Sequence, residues 1–451
     1  TLSSPTSIDY VDISPLLVAN KFLSRLPPRS STSPDHIPYI FLKHTAPHIC
    51  IPLSILFNRF LLHGASPSIW KTAKVKAIYK RKGPKNTASS YRPISLTCSS
   101  SKVMEKIVGE TLWKYLSENN LISPYQHGFR PRRSCTSALL NSFSQWHSVL
   151  NDGHYISVAF IDFSRAFDSI PINLLIHKCS LLGICGSLLS WIRSFLLGRS
   201  QSVSVNTSSS PSFPAHSGVP QGSVLGPLLF SLYISDLPSL LPPNVRCILY
   251  ADDVKLWSYS DPASLQSSLD ILFKWSSDWG LTVSLTKTET MLIGRSHPPS
   301  IFTLNGISLP TVSQFTDLGV TYSNKLEFSA HISTKISKAR SRCSYILRTF
   351  VSKNPRLYSR LFVTYVRPIL EYCSELWSPQ RRDLSNSIER VQRKYTKSIL
   401  LKCRVPNRSY PDRLRYFHLE PLEYRRTIID LAFVYKVIHE DVDIGCPSFS
   451  S

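Results

Sequence analysis

Acidic residues are scarce in this chain of 451 residues: 29 Asp and Glu stand against 52 Lys and Arg, a formal charge of +23. The long-range field therefore attracts polyanions, and nucleic acid is the first partner to consider, although charge alone also fits a basic surface kept for solubility. The ten cysteines are scattered singly, with no CxxC pair and no CxxC…HxxxH spacing, which excludes the usual tetrahedral zinc arrangements. They read as reduced core thiols of an intracellular protein, in nucleus and cytoplasm. No stretch reaches the roughly 18 uninterrupted apolar residues of a membrane span, and no basic, apolar and small-residue series marks a secretory signal. Membrane and secreted classes fall away. An initiating Met is also lacking; the chain opens on Thr1, so a fragment whose missing part held further activities is expected.

What is present suffices for a large core: 42% of residues are hydrophobic. At roughly 100 to 200 residues per domain, the length suggests two or three domains. Residues 1–40 are rich in Ser, Thr and Pro, run into Leu26-Pro27-Pro28-Arg29-Ser30-Ser31-Thr32-Ser33-Pro34, and lack sustained periodicity, so they read as a lead-in. Leu53, Leu56, Phe57, Phe60 and Leu61 recur at helical spacing within residues 51–70, and a second helical pattern covers residues 102–116. From His154 the texture changes: Ile156, Val158, Ala159, Phe160 and Ile161 form a short apolar run that suits a buried strand. Residues 201–217 read as a Ser-rich loop, and residues 247–257 as two short strands about a two-residue turn.

Beyond residue 323 the pattern is helical again. Ile332, Ile336, Ala339, Cys343, Ile346 and Phe350 share one stripe, opposite Lys335, Lys338, Arg342 and Arg348. Residues 323–408 hold 19 Lys and Arg against 5 Asp and Glu. This helical region is the expected polyanion-binding face, the alternative being an ordinary solvated helix surface. Residues 384–400 continue the design, with Ile388, Val391, Tyr395 and Ile399 on one face and Arg390, Arg393, Lys394 and Lys397 nearby.

Two carboxylate positions stand at the ends of apolar strands. Asp162 follows the run 156–161, and Asp252 and Asp253 sit in the turn of Ile248-Leu249-Tyr250-Ala251-Asp252-Asp253-Val254-Lys255-Leu256-Trp257. Adjacent acids between apolar strands repel one another and lose hydration, a cost that a divalent cation removes. Mg²⁺ prefers oxygen ligands in octahedral geometry and keeps places for water and phosphate, so a few converging carboxylates suffice. Two such ions roughly 3.5 to 4 Å apart could activate a primer 3′-hydroxyl and stabilise a leaving pyrophosphate during in-line displacement. Taken alone, an Asp-Asp turn is more simply a solvated hairpin tip, because Asp is a common turn former. The remaining motifs, in their order, reverse that preference.

Tyr250-Ala251-Asp252-Asp253 resembles the polymerase box of reverse transcriptases, and Ala159-Phe160-Ile161-Asp162-Phe163-Ser164-Arg165-Ala166-Phe167-Asp168 resembles the preceding metal-binding box as written in non-LTR (LINE-type) retrotransposons. Gly218-Val219-Pro220-Gln221-Gly222-Ser223-Val224-Leu225-Gly226-Pro227-Leu228-Leu229-Phe230 is similar to the nucleotide-contacting loop and helix between them. Upstream, Tyr91-Arg92-Pro93-Ile94-Ser95-Leu96 and Gln126-His127-Gly128-Phe129-Arg130 match the finger motifs; downstream, Lys287-Thr288-Glu289 and Leu318-Gly319-Val320 match the later palm motifs. The resemblance spans residues 70–320 with seven motifs in order, and more loosely the C-terminal helices. It implies an α+β right-hand polymerase: fingers and palm, with an antiparallel palm sheet, over residues 41–322, a basic helical thumb over 323–408, and a helical C-terminal extension over 409–451.

The resemblance also implies roles. Asp162 and Asp252 would ligate two Mg²⁺ ions, or Mn²⁺, with the backbone carbonyl of Phe163 as a further oxygen and Asp253 supporting the cluster. Phe167 matches the bulky gate that would exclude a ribose 2′-hydroxyl. Gln221 would contact the incoming deoxynucleoside triphosphate, from a loop whose two glycines allow close approach, and Ser223 is a candidate N-cap for the next helix. Arg92 would hold triphosphate oxygens through its planar fork, assisted by Lys80 or Lys82. Lys287 matches the lysine that would protonate pyrophosphate, an exposed surface lysine being the plainer alternative. The family usually has Asn where Ser284 stands, which puts the local geometry in question.

Activity then follows as RNA-directed DNA polymerisation on an RNA template from a DNA primer. The hybrid product, close to A-form, would be held through its backbone by the basic helices. In elements of this kind a nick in chromosomal DNA supplies the primer, but this chain shows no endonuclease motif. A catalytically inactive RNA-binding remnant of a mobile element is the alternative from another class, and an RNA-directed RNA polymerase is disfavoured by Phe167.

Overall fold

The computed structural model describes residues 6–28, 33–81, 83–206, 208–295 and 297–445. Helix α1 (Ala46–Leu62) and strands β1 (Thr72–Tyr79) and β2 (Tyr91–Leu96) precede helices α2 (Ser99–Glu118) and α3 (Cys135–Asn151). Strand β3 (Ile156–Asp162) follows, then helices α4 (Ile172–Leu181) and α5 (Gly186–Leu196), strand β4 (Arg199–Val205) and helix α6 (Gly226–Tyr233). The hairpin of β5 (Val245–Tyr250) and β6 (Asp253–Tyr259) leads to α7 (Pro262–Asp278), β7 (Glu289–Ile293) and a second hairpin, β8 (Gln314–Asp317) with β9 (Val320–Ser323). The rest is mainly α8 (Ser329–Thr349), α9 (Pro355–Tyr365), α10 (Arg382–Cys403), α11 (Tyr410–Phe417) and α12 (Leu422–Ile438). No described helix is long and apolar enough to cross a membrane.

The architecture is α+β, organised on an antiparallel sheet in the order β5-β6-β3-β7. Side chains alternate across a strand, and β3 uses both faces. Ala159 and Ile161 enter the largest core, with α2 and α4–α7. Ile156, Val158 and Phe160 enter a second core with Phe143, Trp146, Trp257 and Tyr322. Burial on both sides explains why the strand reads as a nearly continuous apolar run, broken by the buried Ser157, since its first six residues are all buried. Helix α3 covers the second face, started by a reciprocal cap: Ser137 N donates to Ser134 Oγ at 3.1 Å and Ser134 N to Ser137 Oγ at 2.9 Å.

Helices predicted over residues 51–70 and 102–116 correspond to α1 and α2. The Ser-rich stretch 201–217 differs from expectation, because it holds most of β4 and two further short strands, Ser208–Ser209 and Phe213–Ala215, that pair with it. Strand β4 runs parallel to β1, which pairs antiparallel with β2. Backbone pairing there does not need apolar side chains, so composition concealed it.

The Ser/Pro-rich lead-in is packed rather than peripheral where it is described. Val11, Ile13, Val18, Phe22, Leu23 and Leu26 are buried in the largest core. A π-helical turn spans Leu17–Leu23, and the buried Val18, Phe22, Leu23 and Leu26 keep near-helical spacing along and just after it; the run is short, and its Ser- and Pro-rich surroundings concealed it. Residues 1–5 and 29–32 of the lead-in lie outside the described residues.

A third core holds the C-terminal helices together. Ile332, Ile336, Ala339, Cys343 and Ile346 of α8 meet Tyr358 and Phe362 of α9 and Ile388, Val391, Tyr395 and Ile399 of α10. Leu414, Phe417, Leu419 and Leu422 join the same cluster, so residues 409–422 share one core with the helices before them.

Candidate active site

The sheet brings the expected carboxylates together. Asp162, the last residue of β3, lies directly opposite Asp253, the first residue of β6. Directly opposed residues on antiparallel strands have Cβ atoms about 4.5 to 5.5 Å apart, within reach of one ion pair or metal. The turn between β5 and β6 is Ala251–Asp252, so Asp253 belongs to the strand rather than to the turn. Ala251 takes φ +56°, a left-handed conformation that a tight hairpin turn requires.

The motif around Gly128 locks this turn. His127 N donates to Leu249 O at 2.7 Å, Leu249 N to Tyr125 O at 2.9 Å, and Ala251 N to the Gln126 side-chain oxygen at 3.2 Å. A Cβ on Gly128 would collide with the Ala251 backbone nitrogen, which is why glycine stands there. The segment matched to the fingers thus also supports the acidic hairpin from the side.

Burial and mutual repulsion govern the acids. Desolvation, followed by the charges of Asp252, Asp162 and Asp317, pushes Asp253 up to about 7 although its side chain keeps contact with solvent. Asp252 is also raised, first by burial and then by Asp162, while Lys287 and Arg92 act in the opposite direction. Lys287 Nζ is 2.5 Å from Asp162 Oδ2. Ser284, in the place where the resemblance leads one to expect Asn, holds that lysine's segment: its N–H donates to Asp162 O at 2.8 Å and its carbonyl accepts from Lys287 N at 3.1 Å and Thr288 N at 3.0 Å.

Phe163 forms an isolated bridge with Val283. The flanking bonds, Ser284 N to Asp162 O and Ser164 N to Thr282 O, do not use the Phe163 carbonyl. The donor set is therefore all oxygen and carries excess negative charge, which fits a hard divalent cation. Among the described residues no three His, Cys, Asp or Glu side chains form a ready-made cage. Mg²⁺ depends least on one, because one or two carboxylates plus water and substrate phosphates commonly hold it.

Phe167 stands on the helical turn Ala166–Ser169, five residues beyond Asp162 in the chain. Its ring stacks on Phe230 at 4.4 Å and meets Phe129 edge-on at 6.1 Å, so its position is fixed from two sides. Gln221 Nε2 donates to Asp168 Oδ1 at 2.9 Å, and Ser95 N to Gln221 O at 2.6 Å. Close packing also explains the glycines of this loop: a Cβ on Gly218 would strike Phe167 O, and one on Gly222 would strike Ser95 O. They admit protein backbone here, whereas the sequence suggested room for a nucleotide.

Ser223 is not the N-cap position of α6, which is Leu225; its Oγ accepts from Gly226 N at 3.0 Å within the preceding turn. Glu105, fully buried, takes the larger share, accepting from Val224 N at 2.6 Å and Leu225 N at 3.3 Å. Arg92, exposed on β2, is near enough to favour the charged form of Asp252. Lys80 donates to Ser89 O at 3.0 Å and acts on Asp168, which lies next to Phe167. Lys82 lies outside the described residues.

Sequence reasoning passed over Gln126, Glu105, Asp168, Lys255 and Asp317. A signal existed for one of them: a lysine inside the apolar strand Val254-Lys255-Leu256-Trp257 must find a buried partner. It finds Asp317, at 2.6 Å.

Comparison with known proteins accords with this geometry. The family model described as reverse transcriptase (RNA-dependent DNA polymerase) matches residues 81–322. A probable RNA-directed DNA polymerase from transposon BS of Drosophila melanogaster is 28% identical over 394 residues, covering 84% of this chain and 43% of the relative. The RNA-directed DNA polymerase from mobile element jockey of the same organism is 28% identical over 363 residues, covering 77% and 39%. The chain thus spans less than half the length of these curated relatives. A solved structure of apo telomerase from Candida tropicalis aligns at TM-score 0.42 and 13% identity, covering 58% of this chain and 55% of that one.

Proposed function

The chain belongs to the reverse transcriptase family, of the kind carried by non-LTR retrotransposons, and on that premise we propose that it is an RNA-directed DNA polymerase extending a DNA primer on an RNA template. The observation that carries this reading is the β3–β6 register, which sets Asp162 against Asp253 with Asp252 in the adjoining turn. The family's fold is the right-hand polymerase and its members use divalent metal ions.

In this reading Asp162, Asp252 and the Phe163 carbonyl hold two Mg²⁺ ions, or Mn²⁺, with Asp253 supporting the charge. When bound, such ions lower the cost of forming the attacking alkoxide and of releasing pyrophosphate. The chain's own residues do the rest. Arg92 and Lys80 supply positive charge for the triphosphate, Arg92 as a planar fork and Lys80 as a point charge. Gln221, oriented by Asp168, borders the base and sugar, and Phe167, wedged between Phe129 and Phe230, fills the volume a 2′-hydroxyl would need. Lys287 neutralises Asp162 before substrate arrives and is placed to donate a proton to the leaving pyrophosphate.

The fingers and palm correspond to residues 41–322, the thumb to 323–408 and an extension to 409–451. The exposed Lys338, Arg340 and Arg348 of α8 and Arg390, Arg393 and Lys394 of α10 suit the phosphate backbone of an RNA/DNA hybrid. Action in nucleus and cytoplasm follows from such substrates. Primer extension with purified protein tests the reading: incorporation of deoxynucleotides opposite RNA is expected with Mg²⁺ or Mn²⁺. Equal incorporation by the Asp252→Asn variant refutes the chemistry.

A further inference from the structure

Resting on that reading, we propose that Asp443, in the segment that follows α12, is a positioning residue for the acidic hairpin turn and acts through Arg133 and Gln126. This segment returns to the region matched to the fingers. Asp443 N donates to Arg132 O at 2.8 Å, and Asn141 Nδ2 of α3 donates to Ile444 O at 2.7 Å, with Ile444 itself buried. Between these two bonds, Arg133 Nε and Nη2 both reach Asp443 Oδ2, at 2.8 and 2.7 Å. The Arg133 side chain is 3% exposed, that of Asp443 37%.

The guanidinium bridges two parts of the chain. Its third nitrogen, Nη1, donates to Gln126 O at 3.2 Å and to Pro124 O. Tyr125 O, between them, accepts from Leu249 N at 2.9 Å, so this stretch is held between β5 on one side and Arg133 on the other. Gln126 is buried, and its Oε1 accepts from Gly128 N at 2.8 Å and from Ala251 N at 3.2 Å. Among the described residues its Nε2 has no partner. Where that amide stands is therefore set by the backbone that carries it, which Arg133 grips directly.

A charge this deeply buried needs its counterion, because removing one partner of a buried pair leaves the other uncompensated. Among the described residues, Asp443 is the carboxylate paired with Arg133. Without it the guanidinium must turn toward water, and its bonds to Pro124 and Gln126 go with it. Arg130 adds to the need: burial and then the charge of Arg133 disfavour its charged form, and Asp443 opposes both. Ala251 immediately precedes Asp252, so a displacement of Gln126 reaches the metal-holding turn in one step. A shift of about 1 Å there can cost on the order of 100-fold in rate.

The test is Asp443→Asn, which keeps the size of the side chain and an oxygen that can accept from Gly445 N, and removes the charge. In primer extension we expect the Mg²⁺ concentration for half-maximal activity to rise about three- to tenfold and kcat to fall about tenfold, with hybrid affinity within about twofold. Glu440→Gln, which removes an exposed partner of Arg132 from the same segment, should change none of these. Hydrogen exchange gives a readout that needs neither turnover nor metal: peptides covering residues 125–128 and 248–252 should exchange at least about fivefold faster in Asp443→Asn, while α8 keeps its wild-type rate. Unchanged Mg²⁺ dependence and kcat, however far the melting temperature falls, overturn the proposal; so does unchanged exchange at residues 248–252, or an equal loss of hybrid affinity. If Asp443→Asn does not fold, Asp443→Glu, with the charge on a longer stem, should raise the Mg²⁺ midpoint about two- to threefold, and no shift overturns the proposal equally. Wild-type protein that extends no primer refutes the polymerase reading, while the exchange comparison still decides whether Asp443 positions the turn.

Discussion

Lys287 Nζ and Asp162 Oδ2 stand 2.5 Å apart although 125 residues separate them in the chain. The lysine is two-thirds exposed, so the pair is a weak, exchangeable counterion rather than a structural lock. Replacing it by methionine removes a competitor for Asp162 and a proton donor together. Lys287→Met should lower the Mg²⁺ concentration for half-maximal activity by up to about fivefold, the equivalent of an exposed ion pair, while kcat falls about 10- to 100-fold. A Mg²⁺ titration of primer extension measures both; an unchanged midpoint removes the counterion role.

Asp252→Asn keeps the volume of the side chain and removes its charge. Primer extension should fall by at least about 1,000-fold. Affinity for an RNA/DNA hybrid, measured by anisotropy, should stay within about threefold, because the basic helices carry that binding.

Asp253 predicts a proton balance. Its pKa, raised to about 7, means the metal-free folded protein holds a proton there that the unfolded chain has already lost above pH 4. Stability from this group is therefore present at low pH and lost as pH rises from about 4 to 7, then flat above. Metal-free protein should lose more melting temperature between pH 6 and pH 8 than the Asp253→Asn variant does, and Mg²⁺ binding should reverse the trend. Calorimetry in buffers of different ionisation enthalpy should detect proton release on Mg²⁺ addition at pH 6.5 that shrinks at pH 8.5. Absence of release at both values counts against the raised pKa.

Phe167→Val opens the space beside the sugar. Incorporation of ribonucleotides relative to deoxynucleotides should rise by at least about tenfold, with some loss of stability because the stack on Phe230 is gone. Competitive single-nucleotide incorporation reads the ratio, and an unchanged ratio excludes Phe167 as the gate.

Glu105 acts at a distance from any substrate. Its carboxylate is fully buried and accepts two backbone N–H groups ahead of α6. Glu105→Leu leaves both donors unsatisfied and should cost about 2 to 5 kcal/mol in chemical denaturation. The dNTP KM should rise, because the loop carrying Gln221 ends at Val224.

Much of this protein is legible in one dimension. The apolar run ending in Asp162 and the apolar flanks of Asp252 fix strands that can lie nowhere but in a core, and the helical stripe of residues 332–350 fixes a buried face against a basic one. These are local consequences of side-chain period and of the cost of wetting apolar surface. Where backbone carries the structure, the sequence is quiet: β4 hides in a Ser-rich stretch.

Only the tertiary structure decided how the pieces meet. The pairing of Asp162 with Asp253, the hold of Gln126 on Ala251, of Glu105 on Val224 and of Lys255 on Asp317 are all contacts between residues remote in the chain. Sequence specifies which side chains must be buried or paired, since that cost is intrinsic to each residue type. Which partner meets each need depends on strand register and helix packing, and these become fixed only when the whole chain has folded.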